Sequence, residues 1–264
     1  MADAYMTIDD TPTAHSVALG DMLVRMDVPA IFFIRGQRME ENPAPVERLI
    51  AQGFVMANHL YAHKRSSALT FDEVVEEIRR TEILIDAAYK AAGAARPGKY
   101  VRFPHIDRGT AGWVVDYDAV PAQHRDTLIK LFSDGLNVSM DKPGPEAFEK
   151  KVQLQEWLRA EGFTAPPFTG VTHEWYTETE MAQAIDAMFT YSTSDWMLTE
   201  RHRGKWAYKD IADLCRKMDD DPFLSRPYSA HIILSHDDPD NLNDVTAALI
   251  NHLRGKGIAF KPVL

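Results

Sequence analysis

A single cysteine, Cys215, occurs among the 264 residues, so the chain cannot form an internal disulfide. That leaves either redox compartment open, because many exported proteins need none; Cys215 itself reads as core filler on a helix with Ile211 and Leu214. Also lacking is any block of Lys or Arg: 29 basic side chains stand against 39 acidic ones, for a formal charge of -10. Binding of nucleic acid draws on clustered cations facing the phosphates, so no nucleic-acid partner is expected. No apolar run approaches the roughly 20 residues that cross a bilayer, so no membrane span is expected, and the N-terminus carries no basic, apolar, small-residue leader pattern. Because the first expected strand begins within a few residues of Met1, location stays open: secreted or periplasmic if a leader was removed upstream, cytoplasmic otherwise. Internal repeats and low-complexity tracts are absent as well. Oligomeric state has no signal in the sequence.

What is present is 45% hydrophobic residues, enough for one substantial core, and one domain spanning residues 1–264 is expected. Apolar strands are read over residues 4–8, 30–34, 54–57, 100–103, 187–190, 231–234 and 258–260, with helical signals between them. Leu19, Met22, Leu23 and Met26 recur at helical spacing, and residues 46–52 form a short helix stopped by Gly53. Thr70 and Glu73 make a capping box ahead of a long helix bearing Phe71, Val74, Val75, Ile78 and Ile85 and ending near Gly93. Thr177 and Glu180 repeat that signature before Met181, Ile185 and Met188. Asp238 and Pro239 open a last helix through Leu242, Val245, Leu249 and Leu253. Residues 106–152 break the rhythm with Gly109, Gly112, Pro121, Gly135 and the run Lys142-Pro143-Gly144-Pro145. This stretch reads as an insertion on the functional side, either a lid or binding loop or a plain surface excursion.

Chemistry gathers at strand ends. Asp9 and Asp10, His59, Arg102, Asp195 and His236 each close an apolar segment. Polar groups gathered at the C-terminal ends of parallel strands are what a β/α barrel offers, and such barrels commonly use about 250 residues. His59 and His63 are four apart, so on a helical turn both imidazoles project from one face and can chelate one cation; surface or core histidines are the ordinary alternative. Adjacent acids such as Asp9 and Asp10 can send one carboxylate to a metal and leave the other as a base, or simply form a solvated turn. Arg102 can hold a carboxylate bidentately, in a site or in a structural salt bridge. Asp195 and His236 make a plausible pair, in which the carboxylate raises the imidazole pKa and keeps its acid form available near neutral pH.

Five segments in this order carry a resemblance: Thr7-Ile8-Asp9-Asp10, His59-Leu60-Tyr61-Ala62-His63, Arg102-Phe103-Pro104, Ser194-Asp195-Trp196 and Ile232-Ile233-Leu234-Ser235-His236-Asp237. The chain resembles polysaccharide deacetylases of the chitin, peptidoglycan and nodulation-factor deacetylase type, over nearly its whole length. The resemblance implies a distorted β/α barrel of about seven units, with one divalent metal ion, usually Zn2+, held by Asp10, His59 and His63. It implies that Asp9 is the general base, oriented by Arg102, and that Asp195 tunes His236 as the general acid. Trp196 and Leu234 would wall the pocket for the acetyl methyl, and a backbone N–H near His105 would hold the oxyanion. The implied partner is an acetylated amino-sugar glycan, chitin oligomers or peptidoglycan, and the products are acetate and a free amino sugar.

Departures from the family pattern fall on the rim: Thr11, Leu60, His105, Ser192 and Ser235 stand where Gly, Ser or Thr, an aromatic, Asp and an apolar residue are usual. Tyr61, Trp113, Trp175, Tyr176 and Trp206 are candidates for stacking on sugar faces, although large aromatics more often fill cores. His173 is read as a rim or surface-loop residue. Two further readings keep the sequence but change the function: a same-fold hydrolase of small cyclic imides, ureides or O-acetyl esters, and a non-catalytic carbohydrate-binding protein. The second would predict a missing base or ligand, yet Asp9, Asp10, His59, His63 and His236 are all present.

Overall fold

A computed structural model describes residues 2–134, 140–224, 226 and 228–263. In chain order these form β1 (Ala2–Thr11), α1 (Ser16–Arg25), β2 (Ala30–Ile34), α2 (Gly36–Glu41), α3 (Ala44–Ala51), β3 (Val55–Asn58) and α4 (Phe71–Ala91). Next come α5 (Ala122–Ser133), α6 (Pro145–Ala160), α7 (Glu174–Thr177), β4 (Tyr191–Ser192), α8 (Ile211–Asp219), β5 (His231–His236), α9 (Asn243–Gly255) and β6 (Ile258–Phe260). No helix of the described residues is long and apolar enough to cross a membrane.

The strands pair in the order β3-β2-β1-β5-β4, all parallel, and β6 pairs with the first residues of β1. Isolated bonds close the ring. Asn58 N–H donates to Tyr100 O (2.8 Å), Arg102 N–H to Asn58 O (2.9 Å), Ala187 N–H to Val101 O (2.7 Å) and Thr190 N–H to Ile232 O (2.9 Å). Residues 100–102 and 187–190 therefore stand where strands were expected, without forming full ladders. Arg102 is the reason: its Nε donates to Ala187 O at 3.1 Å, taking a carbonyl between the two segments, and Pro104 has no N–H with which to continue pairing. The result is a distorted β/α barrel.

Period-two alternation sets what faces where. Ala4, Met6 and Ile8 of β1 pack outward with Phe32, Ile34 and Met56 against the helices, while Tyr5, Ile31, Phe33 and Ala57 fill the barrel. Thr7 and Asp9 share the inward column, since both accept hydrogen bonds from buried Arg102. Among the helices, α4 follows its sequence signature closely. Thr70 and Glu73 form the reciprocal capping box, the buried face carries Val74, Val75, Ile78 and Ile85, and Gly93 takes φ 66 just past the C-cap. Each of those apolar side chains contributes about 1.5–3 kcal/mol on full burial.

Two helix starts differ from expectation. Thr177 and Glu180 make no capping box: α7 is four residues long, Thr177 Oγ1 donates to His173 O, and Glu180 is drawn instead to Arg108 (3.1 Å) and Lys151 (2.6 Å). The last helix begins at Asn243, because Asp238 uses its carboxylate to accept the Asp240 N–H in a preceding turn. Of the stretch 106–152, residues 135–139 with Gly135 lie outside the described residues. The remainder contains α5 and runs into α6, and Trp113, Val114, Val115, Tyr117 and Leu128 give it a small core shared with Trp175 and Met188.

Candidate active site

Strand β1 ends in a bulge. Its register against β2 shifts between Ile8 and Thr11, and Asp10 sits at φ 71, in the left-handed region. Neighbours on a regular strand point to opposite faces; the bulge instead turns Asp9 and Asp10 into one cavity of about 450 Å³ above the strand ends. Leu60, His63, His105, Ile106 and Ser194 also have positive φ, a conformation that costs a non-glycine residue of order 1–3 kcal/mol and clusters at functional sites.

His59 and His63 meet, but through a loop and not on a helical face. Leu60 N–H donates to Asn58 Oδ1 (2.8 Å) and Ala62 N–H to Glu77 Oε2 (2.5 Å), which pulls the chain out of helical geometry. His59 Nδ1 lies 2.8 Å from Arg102 O, and a proton held there leaves Nε2 as the free donor atom. Nε2 of His59 is 3.9 Å and Nε2 of His63 3.0 Å from Asp10 Oδ1. The ligand atoms of Asp10, His59 and His63 all fall within 4.8 Å of one another. Asp10 Oδ1 is buried yet accepts no well-formed hydrogen bond, an orphaned anionic oxygen between two imidazoles.

Protonation states agree with a cation site. Burial opposes the charged form of Asp10, but the His63 imidazole, aided by His59 and His236, outweighs it and holds the carboxyl well below its usual range. Burial pushes His59 down to about 4, against the pull of Asp9, so its ring is neutral at pH 7. One carboxylate and two imidazoles within reach of one point are a donor set that zinc and similar divalent ions take, so these residues fit the metal that the resemblance implies.

Most of the other expected catalytic and pocket residues lie around this group. Arg102 is fully buried beneath Asp9 and donates from Nη1 to Asp9 Oδ1 (2.8 Å) and to Thr7 Oγ1 (2.9 Å). Its grip on Asp9 is through one oxygen, not bidentate, because Nε and Nη2 are spent on Ala187 O and Met188 O. Asp195 is also fully buried: Oδ1 is 2.7 Å from His236 Nδ1, and Oδ2 accepts from His236 N–H (2.8 Å) and Ser235 Oγ (2.6 Å). Burial lowers the His236 pKa, but the Asp195 carboxylate more than offsets it and the group is raised to about 9. Trp196, Leu234 and His105 line the cavity. Tyr61 does not: its hydroxyl donates to Glu40 (2.5 Å) and its ring lies under Arg80, because the loop from Leu60 turns it outward. His173 is no rim residue either. It is 3% exposed and paired with His231.

Sequence reasoning missed Asp134, Arg65, Arg201 and His202, all of which line the cavity. Asp134, at the end of α5, accepts from Ser192 Oγ (3.0 Å), Ser194 Oγ (2.5 Å), Trp196 Nε1 (3.2 Å) and Lys217 Nζ (2.7 Å). No local pattern marks it, since its partners lie 58 or more positions away. Of the aromatic candidates, Trp206 reaches the mouth at 38% exposure, whereas Trp113 and Trp175 are buried.

Comparison with known proteins places this site in a family. A family model described as polysaccharide deacetylase matches residues 2–110. A chitooligosaccharide deacetylase of Rhizobium leguminosarum bv. trifolii is 33% identical over 152 residues, 50% of this chain and 71% of that one. A peptidoglycan-N-acetylglucosamine deacetylase of Bacillus cereus is 31% identical over 105 residues, 39% of this chain but only 36% of that protein's length. In fold, a family 4 carbohydrate esterase from Streptomyces lividans, solved in complex with acetate, is similar with a TM-score of 0.56 at 18% identity over 98% of this chain and 91% of that one. The chain belongs to the polysaccharide deacetylase family.

Proposed function

We propose that the protein is a metal-dependent hydrolase that removes N-acetyl groups from an acetylated amino-sugar glycan, chitin oligomers or peptidoglycan, releasing acetate. The observation that carries this reading is the orphaned Asp10 Oδ1 between His59 and His63, with a second, separately anchored carboxylate, Asp9, in the same cavity. Asp10, His59 and His63 would hold the ion. A divalent cation there would act as a Lewis acid toward the acetamide carbonyl and the attacking water.

Asp9 takes the proton of that water. Arg102 fixes the Asp9 carboxylate through Oδ1, leaving Oδ2, 3.6 Å from His59 Nε2, as the basic atom. Attack builds negative charge on the carbonyl oxygen, and by family resemblance a backbone N–H near His105 donates to it. The tetrahedral carbon then expels the amine, which must leave protonated. His236 supplies that proton, being held in its acid form by Asp195. Trp196 and Leu234 close the side that receives the acetyl methyl.

Acetate release from N-acetylglucosamine oligomers and from peptidoglycan, set beside cyclic imides, ureides and O-acetyl esters, tests the reading. Activity on the glycans alone supports it. Turnover of the small C–N compounds or esters without glycan turnover would replace it with the second enzyme reading.

A further inference from the structure

Asp134 follows the last residue of α5 at φ 46, in the left-handed region, and lines the cavity. Local physics argues against an aspartate there, because the C-terminal end of a helix carries partial negative charge and favours cations. Its surroundings are tertiary. The carboxylate accepts four hydrogen bonds, two on each oxygen: Ser194 Oγ (2.5 Å) and Lys217 Nζ (2.7 Å) on Oδ1, Ser192 Oγ (3.0 Å) and Trp196 Nε1 (3.2 Å) on Oδ2.

Three of those donors belong to one short turn, residues 192–196, and they flank Asp195, the buried partner of His236. Ser194 has φ 58, a conformation that a residue with a Cβ keeps only when its neighbours enforce it. Its backbone N–H donates to the Ser192 hydroxyl (3.2 Å), whose own proton goes to Asp134, so the carboxylate ends a relay that fixes the turn. From α8, Lys217 closes the group on the other side, donating also to Ser192 O (2.7 Å) and to Ser194 Oγ. A tie between α5 and α8 would need Lys217 alone. The two serines and the indole would have no part in it.

We propose that Asp134 is a positioning residue of the active site: its carboxylate fixes the turn 192–196, so that the Trp196 indole stands as a wall of the acetyl pocket and Asp195 faces His236. For its effect on turnover the inference rests on the deacetylase reading above; for the geometry it rests on the hydrogen bonds. It also gives the stretch that ends in α5 a part in the reaction, since α5 delivers the carboxylate on which the turn is built.

Asp134→Asn tests this, because it removes the charge and turns an amide NH2 toward groups that are themselves donors. Two measurements are made well below the melting temperature of each variant. In a 15N–1H spectrum, the Trp196 indole N–H, assigned by its loss in Trp196→Phe, is expected to move upfield in Asp134→Asn as it leaves a carboxylate acceptor. In acetate release from N-acetylglucosamine oligomers, kcat is expected to fall by about tenfold to a hundredfold, the range that misplacement of a reacting group produces, with KM little changed and zinc content intact. Trp196→Phe removes the one donor and keeps a ring at the wall, and the losses of the double variant should fall short of the product of the single ones, as coupled residues require. An unmoved indole resonance, a kcat that holds while only the melting temperature falls, a rise in KM with kcat intact, or losses that simply multiply would each overturn the proposal. If the wild-type protein releases no acetate, the deacetylase reading fails on its own, and the indole resonance alone decides whether Asp134 fixes the turn.

Discussion

Asp9 and His236 are register partners on the last rung between β1 and β5, and each is anchored from behind by a fully buried opposite charge, Arg102 for the acid and Asp195 for the imidazole. A base and an acid held on one rung can serve the two halves of one reaction. Asp9→Asn keeps the shape and the Arg102 contact while removing the basic oxygen. It should lower turnover by about 10²–10⁴ and leave metal content unchanged, as read by acetate-release kinetics and elemental analysis. Retained turnover would strip Asp9 of its role.

The metal group makes a separate prediction. Since Asp10, His59 and His63 supply the ligand atoms, zinc added to chelator-treated protein should raise the melting temperature, by linkage worth about 2.7 kcal/mol at a hundredfold excess over Kd. Asp10→Ala and His63→Ala should abolish that rise. A rise of the same size in both variants would move the ion elsewhere.

How these residues could be seen in the sequence differs from one to the next. Asp9, His59 and His236 were legible because each ends an apolar run, and a parallel barrel gathers such ends. For His63 the spacing from His59 was only suggestive: helical periodicity offered their meeting on one face, while the structure achieves it through Leu60 and His63 at positive φ, a backbone feature that no spacing rule encodes. Residues 100–103 and 187–190 read as strands because they are largely apolar, and only the Arg102 guanidinium between them reveals why the ladders are incomplete. Asp134 was invisible because it works through contacts with distant residues, from a stretch whose Gly and Pro content suggested only loop. The capping box of α4 was legible and that of 177–180 was not a cap, although the two patterns are alike; nearby Arg108 and Lys151 decide the second case.

For His236 the direction of pH dependence follows from its pair. Burial lowers its pKa and the Asp195 carboxylate raises it more, to about 9 from 6.5. The folded protein therefore binds a proton more tightly than the unfolded chain. That contribution to stability is fully present below pH 6.5 and is lost as pH rises through about 9. Asp195→Asn should remove most of it, lowering the melting temperature of chelator-treated protein at pH 7 and moving the titration midpoint of the His236 ring resonances down from that of the wild type. A midpoint that stays near 9 in the variant would mean that Asp195 is not the source of the shift.

The buried pair of His173 and His231 predicts the opposite slope on the acid side. Their ring nitrogens lie 3.3 Å apart, both side chains are buried, and His231 Nε2 has no partner among the described residues. Burial pushes each down to about 4, with the neighbouring His231 ring adding to the effect on His173. In the unfolded chain both titrate near 6.5. Between pH 6.5 and 4 the unfolded state thus binds more protons than the folded one, so stability present above 6.5 is lost as pH falls through that window. Up to two protons are involved, so the slope from this pair is up to twice that of a single histidine. Replacing one member, as in His173→Phe, keeps a planar ring against Trp175, which His173 stacks on with an interplanar angle of 9°, and removes one of the two protons. Urea melts at pH 7, 6, 5 and 4 should show the variant losing stability less steeply than the wild type, by the contribution of about one proton. Equal slopes would mean that other groups carry the acid dependence.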